Sequence, residues 1–185
     1  MKYIRLTTLL LVVAFTAGAL TSPHSASAAS AAEIDRDAQK ALGDLYAKSP
    51  SAKTMSEKAI GILVFPGIVK GGFIVGGQYG EGALIKDGKT VAYYNTVAAS
   101  YGLQIGLQKF GYALFFMADS ALKWIDKSDG WEIGVGPSIV VVDAGAAAAM
   151  TSTTLQSDIY AFFFDQKGLM AGIGLQGTKI TRLEK

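Results

Sequence analysis

Two periods divide the chain. Between Ser30 and about Lys48, the apolar residues Ile34, Ala38, Ala41, Leu42 and Leu45 recur at three- and four-residue spacing, with Asp35, Arg36, Asp37, Lys40 and Asp44 on the other side. That spacing makes one stripe of an α-helix, and Ser30-Ala31-Ala32-Glu33 supplies the capping box that opens it. Ser49-Pro50 pairs an N-cap residue with a proline at the first helical position and predicts a short second helix to about Ala59. From Gly61 the period drops to two. Gly72–Ile85, Gly102–Gln108, Trp131–Val142 and Gly168–Leu183 each alternate bulky apolar residues with glycine, glutamine or another small or polar residue. Such alternation builds strands with one bulky face and one bare face. Glycine weakens a strand. A repeated glycine face therefore needs a physical reason: close approach of a helix, a second sheet or a ligand, or strong coiling of the sheet itself.

Asp87-Gly88, between Leu84-Ile85 and Val91–Tyr94, is a hairpin signal. Asp165-Gln166-Lys167-Gly168 predicts another, between Tyr160–Phe164 and Leu169–Leu175. Asp119–Lys127, with Ala121, Leu122, Trp124 and Ile125 as its apolar side, predicts one further helix. Ala144–Met150 is either helical or a tightly packed connection. The expected fold is α+β: a mostly antiparallel, strongly coiled, glycine-rich sheet, barrel-like or sandwich-like, with N-terminal helices and one further helix.

The first residues read differently. Met1–Arg5 carries Lys2 and Arg5, Leu6–Leu20 is an apolar run, and Ala26-Ser27-Ala28 fits the small-x-small rule of a secretory leader. Residues 1–28 are expected to be a signal peptide cleaved after Ala28, residues 29–59 a helical segment, and residues 60–185 a β-rich domain that forms one globular unit with it. Cleavage changes the chemistry on offer. The chain has 17 Lys and Arg against 15 Asp and Glu; Lys2 and Arg5 leave with the leader, so the charges balance and nothing favours nucleic acid. The one histidine, His24, leaves too, and there is no cysteine. A protein without either has no Ser-His-Asp or Cys-His nucleophile site and no zinc site of Cys or His ligands. Carboxylate chemistry, lysine chemistry and binding remain.

Sequence motifs add little catalysis. Gly172–Gly177 matches G-x-G-x-x-G, but a dinucleotide site needs a following helix and an acidic residue about 20 positions on; here a strand-like Thr178–Leu183 follows. Gly88-Lys89-Thr90 resembles the end of a P-loop, but that motif requires glycine where Ala83 stands. Glu81, Asp119, Glu132, Asp143 and Asp158 could serve a glycoside hydrolase in pairs, and no pair is singled out. Lys58, Lys70, Lys167, Lys179 and Arg182 could bind anionic headgroups. Tyr160–Phe164 and Phe115-Phe116 are core strand residues or an aromatic edge for a membrane interface.

The stretch Lys58–Leu183 resembles a SYLF domain. Tyr160 with Lys167-Gly168-Leu169-Met170-Ala171-Gly172-Ile173-Gly174-Leu175-Gln176-Gly177 is similar to the closing signature of that family. Ala59–Phe73, with Pro66 and Lys70, resembles its opening; Gly76–Gly82 resembles its glycine-rich second strand, and Ala98–Gly106 its middle block. Gln176 departs from the family's usual Glu, and Lys109–Met117 is more apolar than the usual segment. The resemblance implies a lipid-binding module without catalytic activity. Eukaryotic members bind phosphoinositides through basic residues and an amphipathic N-terminal segment, and fungal members also bind actin filaments. With the leader, it points to a periplasmic or secreted protein of the bacterial envelope, peripheral to a membrane, for which actin is not the expected partner. The expected ligand is an anionic phospholipid or membrane surface, bound by Lys58, Lys70 and Lys167, with no cofactor. An envelope protein is the alternative partner, and a carboxylate hydrolase the remote alternative.

Overall fold

The computed structural model describes residues 29–72, 75–101, 106–127, 130–142, 157–167, 175 and 177–185. Helix α1 spans Ala31–Lys48 and begins at the expected capping box: Ser30 Oγ accepts from the Glu33 N–H, and the Glu33 carboxylate accepts from the Ser30 N–H. Helix α2, Pro50–Ser56, is capped by Ser49. The buried residues of α1 are Ile34, Ala38, Ala41, Leu42 and Leu45, the periodic stripe of the sequence.

Among the described residues eight strands form one curled sheet: β1 (Gly61–Gly72), β2 (Val75–Lys86), β3 (Lys89–Tyr101), β4 (Gly106–Phe116), β5 (Trp131–Glu132), β6 (Ile139–Val142), β7 (Ile159–Lys167) and β8 (Lys179–Leu183), in the order β5-β8-β3-β2-β1-β4-β7-β6. All pairings are antiparallel except that of β6 with β7. The Asp87-Gly88 turn joins β2 to β3 with positive φ at both residues, 49° and 73°, the twist a two-residue hairpin needs. Leu63, Phe65, Tyr94, Tyr112, Leu114, Phe116 and Trp131 fill the inner face. The outer face carries Ile62, Val64, Ala83, Phe115, Phe162 and Phe164, and α1 and α2 lie over it.

A crease crosses the middle of this sheet. In β1 the register slips so that Phe65 and Pro66 oppose only Gly82 of β2, and Pro66 and Gly67 oppose only Gly111 of β4. Proline has no N–H for a ladder, and a bulge is where a central strand tolerates it. The bulged strand presses on its neighbours. A Cβ on Gly82 would lie 2.2 Å from the Val64 carbonyl oxygen, and one on Gly111 would lie 2.2 Å from the Phe164 ring. The crease continues into β7, where Asp165 and Gln166 oppose Phe110 and Asp165 takes φ 51°. The bare glycines here, Gly82 on the inner face and Gly111 on the outer, accommodate β1 itself and the Phe164 side chain, which is the strong coiling the sequence allowed for.

Three expectations need correction. Trp131–Val142 is not one strand: Gly134 and Gly136 take φ of 110° and 100°, turning the chain so that β5 and β6 lie on opposite edges of the sheet. Asp165–Lys167 is not a hairpin turn but the bulged end of β7. The helix at Asp119 is a single turn, α3 (Asp119–Leu122), followed by further turns. Ala144–Met150, Gly168–Gly174 and Gly102–Ile105 lie outside the described residues.

Candidate functional site

Below the crease the sheet changes polarity. On the inner face, Lys70 pairs in register with Gln78 on one side and Gln108 on the other, and all three are buried, at 8%, 7% and 3% exposure. The Gln78 amide donates to Thr178 Oγ1 at 3.4 Å. Gln108 Oε1 is buried without a hydrogen-bond partner among the described residues. On the outer face the residues are apolar and in solvent: Val69 is 47% exposed, Tyr79 48%, Val97 43% and Leu107 69%. An inside that is polar and an outside that is apolar is the reverse of a sheet facing water, and is the arrangement of strands that face lipid.

The outer residues are aligned. Successive pairings place Lys179, Val97, Tyr79, Val69, Lys109 and Lys167 side by side across β8, β3, β2, β1, β4 and β7. At the usual strand spacing the row is roughly 24 Å long. It has an apolar centre and exposed lysines at both ends. Lys109 and Lys167 stand directly opposite each other, a like-charge pairing that costs stability in a sheet. None of the three lysines makes an ion pair among the described residues.

Between this row and α1 lies a cleft of about 670 Å³. It exists because the bulge leaves Gly67 in its floor, where, among the described residues, the end of Lys109 comes near: a Cβ there would lie 3.3 Å from Lys109 Cε and 3.9 Å from its Nζ. Ile34 and Ala41 of α1 face Pro66, Val69 and Tyr79 across it. The carboxylates at its rim are paired, Asp44 with Lys40 at 2.6 Å, Asp165 with Lys48 at 3.0 Å and Glu81 with Lys185 at 3.1 Å. Tyr79 donates to Glu81 at 2.7 Å; desolvation of its hydroxyl, then this bond, push its pKa up to about 12, so the phenol stays neutral.

The three lysines singled out in the sequence do not share one site. Lys58 is exposed in the turn after α2, before β1 begins, and Lys70 lies toward the far end of that strand, roughly 30 Å away at the rise of an extended chain. Lys70 also points to the inner face. Lys167 sits in the outer row, and its partner there, Lys109, was missed; so was the run of Val69, Tyr79 and Val97. Each of these residues looks ordinary in the sequence, and only the register aligns them. Among the acidic candidates, Asp158 accepts from Ser138, Glu81 is paired, Asp119 and Glu132 are exposed, and Asp143 lies outside the described residues.

Residues 97–185 match the family model Ysc84, described as Las17-binding protein actin regulator. Over those residues the chain is similar to the Ysc84, or SYLF, family, the resemblance already read from its sequence. That family is one of lipid- and actin-binding modules. The matched part of the chain holds Val97, Leu107, Lys109, Lys167 and Lys179, while Val69, Tyr79 and the whole of α1 precede it. No curated protein matches the chain.

Proposed function

We propose that this protein is a non-enzymatic module of the bacterial envelope that docks on anionic phospholipid membranes through the outer face of its sheet below the crease. The inversion of that stretch carries the reading, with Val69, Tyr79, Val97 and Leu107 turned to solvent while Lys70, Gln78 and Gln108 are enclosed. Three lysines near an anionic surface contribute on the order of 3 kcal/mol, short of the ~4.1 kcal/mol of even a 1 mM complex. Stable attachment takes two signals, and the row supplies both: charge at its ends and insertable apolar surface between them. A balanced net charge after leader removal leaves attraction to this local cluster. In this reading Lys167 acts together with Lys109 and Lys179.

Co-sedimentation with phosphatidylglycerol vesicles tests the reading. Lys109→Glu with Lys167→Glu should abolish retention and leave the melting temperature nearly unchanged, since both side chains are exposed. Retention of the folded double variant at the wild-type level would remove the row from the binding surface. The family's description as a Las17-binding actin regulator favours one other reading, docking of a protein partner on the same row; binding indifferent to vesicle composition would favour it.

A further inference from the structure

The cleft beside α1 is larger than surface docking requires. A membrane surface touches the row from outside and has no use for a cleft beside it. The cleft has the size of a small-molecule site, about 300–1,000 Å³, and it opens onto the row, since Val69, Tyr79 and Lys109 belong to both. Its walls are mostly apolar, from Ile34 and Ala41 to Pro66 and Gly67. The carboxylates lining it, Asp37, Asp44, Asp165 and Glu81, are paired with Arg36, Lys40, Lys48 and Lys185, while Lys109 makes no ion pair among the described residues and has Lys167 as its neighbour across β4 and β7. An apolar slot with two uncompensated ammonium groups beside it is complementary to an amphiphile with one chain and an anionic head.

We infer that the cleft between α1 and the creased sheet binds the acyl chain of a single-chain anionic lipid, with the headgroup held by Lys109 and Lys167. The inference rests on the docking reading above and deepens it: the protein takes one chain into itself as well as touching the bilayer. The crease is what makes room. Pro66 and Gly67 bulge out of register, and glycine at 67 leaves the floor open.

The test uses the full chain and lysophosphatidylglycerol below its critical micelle concentration, followed by isothermal titration, with glycerol 3-phosphate as the head without the chain. The expected result is saturable binding of one lipid per chain and no measurable binding of glycerol 3-phosphate. Gly67→Leu, which puts a side chain in the slot against the movable end of Lys109, should weaken the lipid about tenfold, the loss of roughly two buried methylene groups at ~0.8 kcal/mol each. The same variant should still be retained on phosphatidylglycerol vesicles. Unchanged lipid affinity in that variant, or glycerol 3-phosphate binding as tightly as the lipid, would overturn the inference. A chain-end photo-crosslinker on the lipid gives an answer that needs no variant: labelling should fall within residues 34–44 and 66–81, and labelling elsewhere overturns the site. Failure of the docking reading looks different, since wild-type protein would then bind the single lipid and ignore vesicles.

Discussion

The two halves of this sheet are built from the same strands and obey opposite rules. Above the crease, β1, β2, β4 and β7 are apolar on both faces, because α1 and α2 cover one and the curl of the sheet encloses the other. Below it, α1 only flanks the outer face across the cleft, the inner face holds Lys70 and two glutamines, and the outer face presents valines, a tyrosine and a leucine to solvent. One half is covered on both faces, and the other leaves apolar side chains in solvent, where the docking proposed above would take place. Substitution should separate them. Phe115 is fully buried above the crease, with its ring 5.0 Å from that of Phe162. Phe115→Ala should cost about 3–5 kcal/mol, measured by denaturant unfolding, whereas Leu107→Ser below the crease should stay within about 0.5 kcal/mol. A large loss at Leu107 would mean that it is part of the core and that the halves do not differ in this way.

The upper half was the legible one. Helical spacing, the capping box at Ser30-Glu33, Pro50 and the Asp87-Gly88 turn are local signals, and each reappears at its place. Mostly antiparallel pairing and strong coiling followed from the glycine alternation. What failed was nonlocal or subtle. Trp131–Val142 alternates like a strand, but two glycines at positive φ break it, and Trp131 Nε1 closes the turn by donating to the Val135 carbonyl. The site was harder still. Lysine position along the chain suggested Lys58 with Lys70, yet a strand separates its ends by its own length and turns alternate residues to opposite faces. Lys109 and Lys167 are far apart in sequence and meet only through the β4–β7 register. One signal was available: Tyr79 and Leu107 share a parity with Ala83 and Phe115, which are covered above the crease, whereas the bulge in β1 flips the parity of Val69, and no short-range pattern says where α1 stops covering them.

If the exposed apolar residues below the crease insert into lipid, they should act differently from the lysines. Val69→Ser with Leu107→Ser should weaken vesicle retention by a similar factor at low and high salt. The Lys109 and Lys167 variants should instead lose most where screening is weak, because charges on a surface interact within a Debye length of about 8 Å at physiological ionic strength. Retention assays across a salt series on both variants would show it. Identical salt dependence would mean that the row acts as a purely electrostatic patch, and its apolar centre would then need another explanation.

A smaller effect concerns the inner side of the same stretch. Gln108 Oε1 is enclosed with no partner among the described residues, and an unsatisfied buried acceptor costs about 1–3 kcal/mol. Gln108→Met keeps the bulk and removes the acceptor, so it should stabilise the fold by about 1 kcal/mol without altering retention on vesicles. Destabilisation by that change would show that the glutamine is satisfied in solution and that the inner polarity supports the structure.

The smallest expected effect lies at the start of the element that separates the halves. The cover over the upper half begins at the cap of α1, where the backbone N–H of Ser30 and then its hydroxyl bond the Glu33 carboxylate and hold its pKa below the ordinary carboxyl value. A carboxyl with a depressed folded-state pKa stabilises the protein above its unfolded pKa, and that contribution is lost as pH falls through the folded value. Ser30→Ala removes the hydroxyl bonds and leaves the backbone one. The Glu33 titration, followed by NMR of its side-chain carboxyl, should therefore move part of the way back up. The melting temperature should fall slightly at neutral pH, and the gap from wild type should narrow in acid, where Glu33 is protonated in both proteins. The hydroxyl also accepts from the Glu33 N–H, a bond that does not titrate, so the gap should narrow without closing. An unmoved titration would mean that the capping box does not form in solution. Vesicle retention should be the same for both proteins throughout, because the cap secures the covered half and touches nothing in the row.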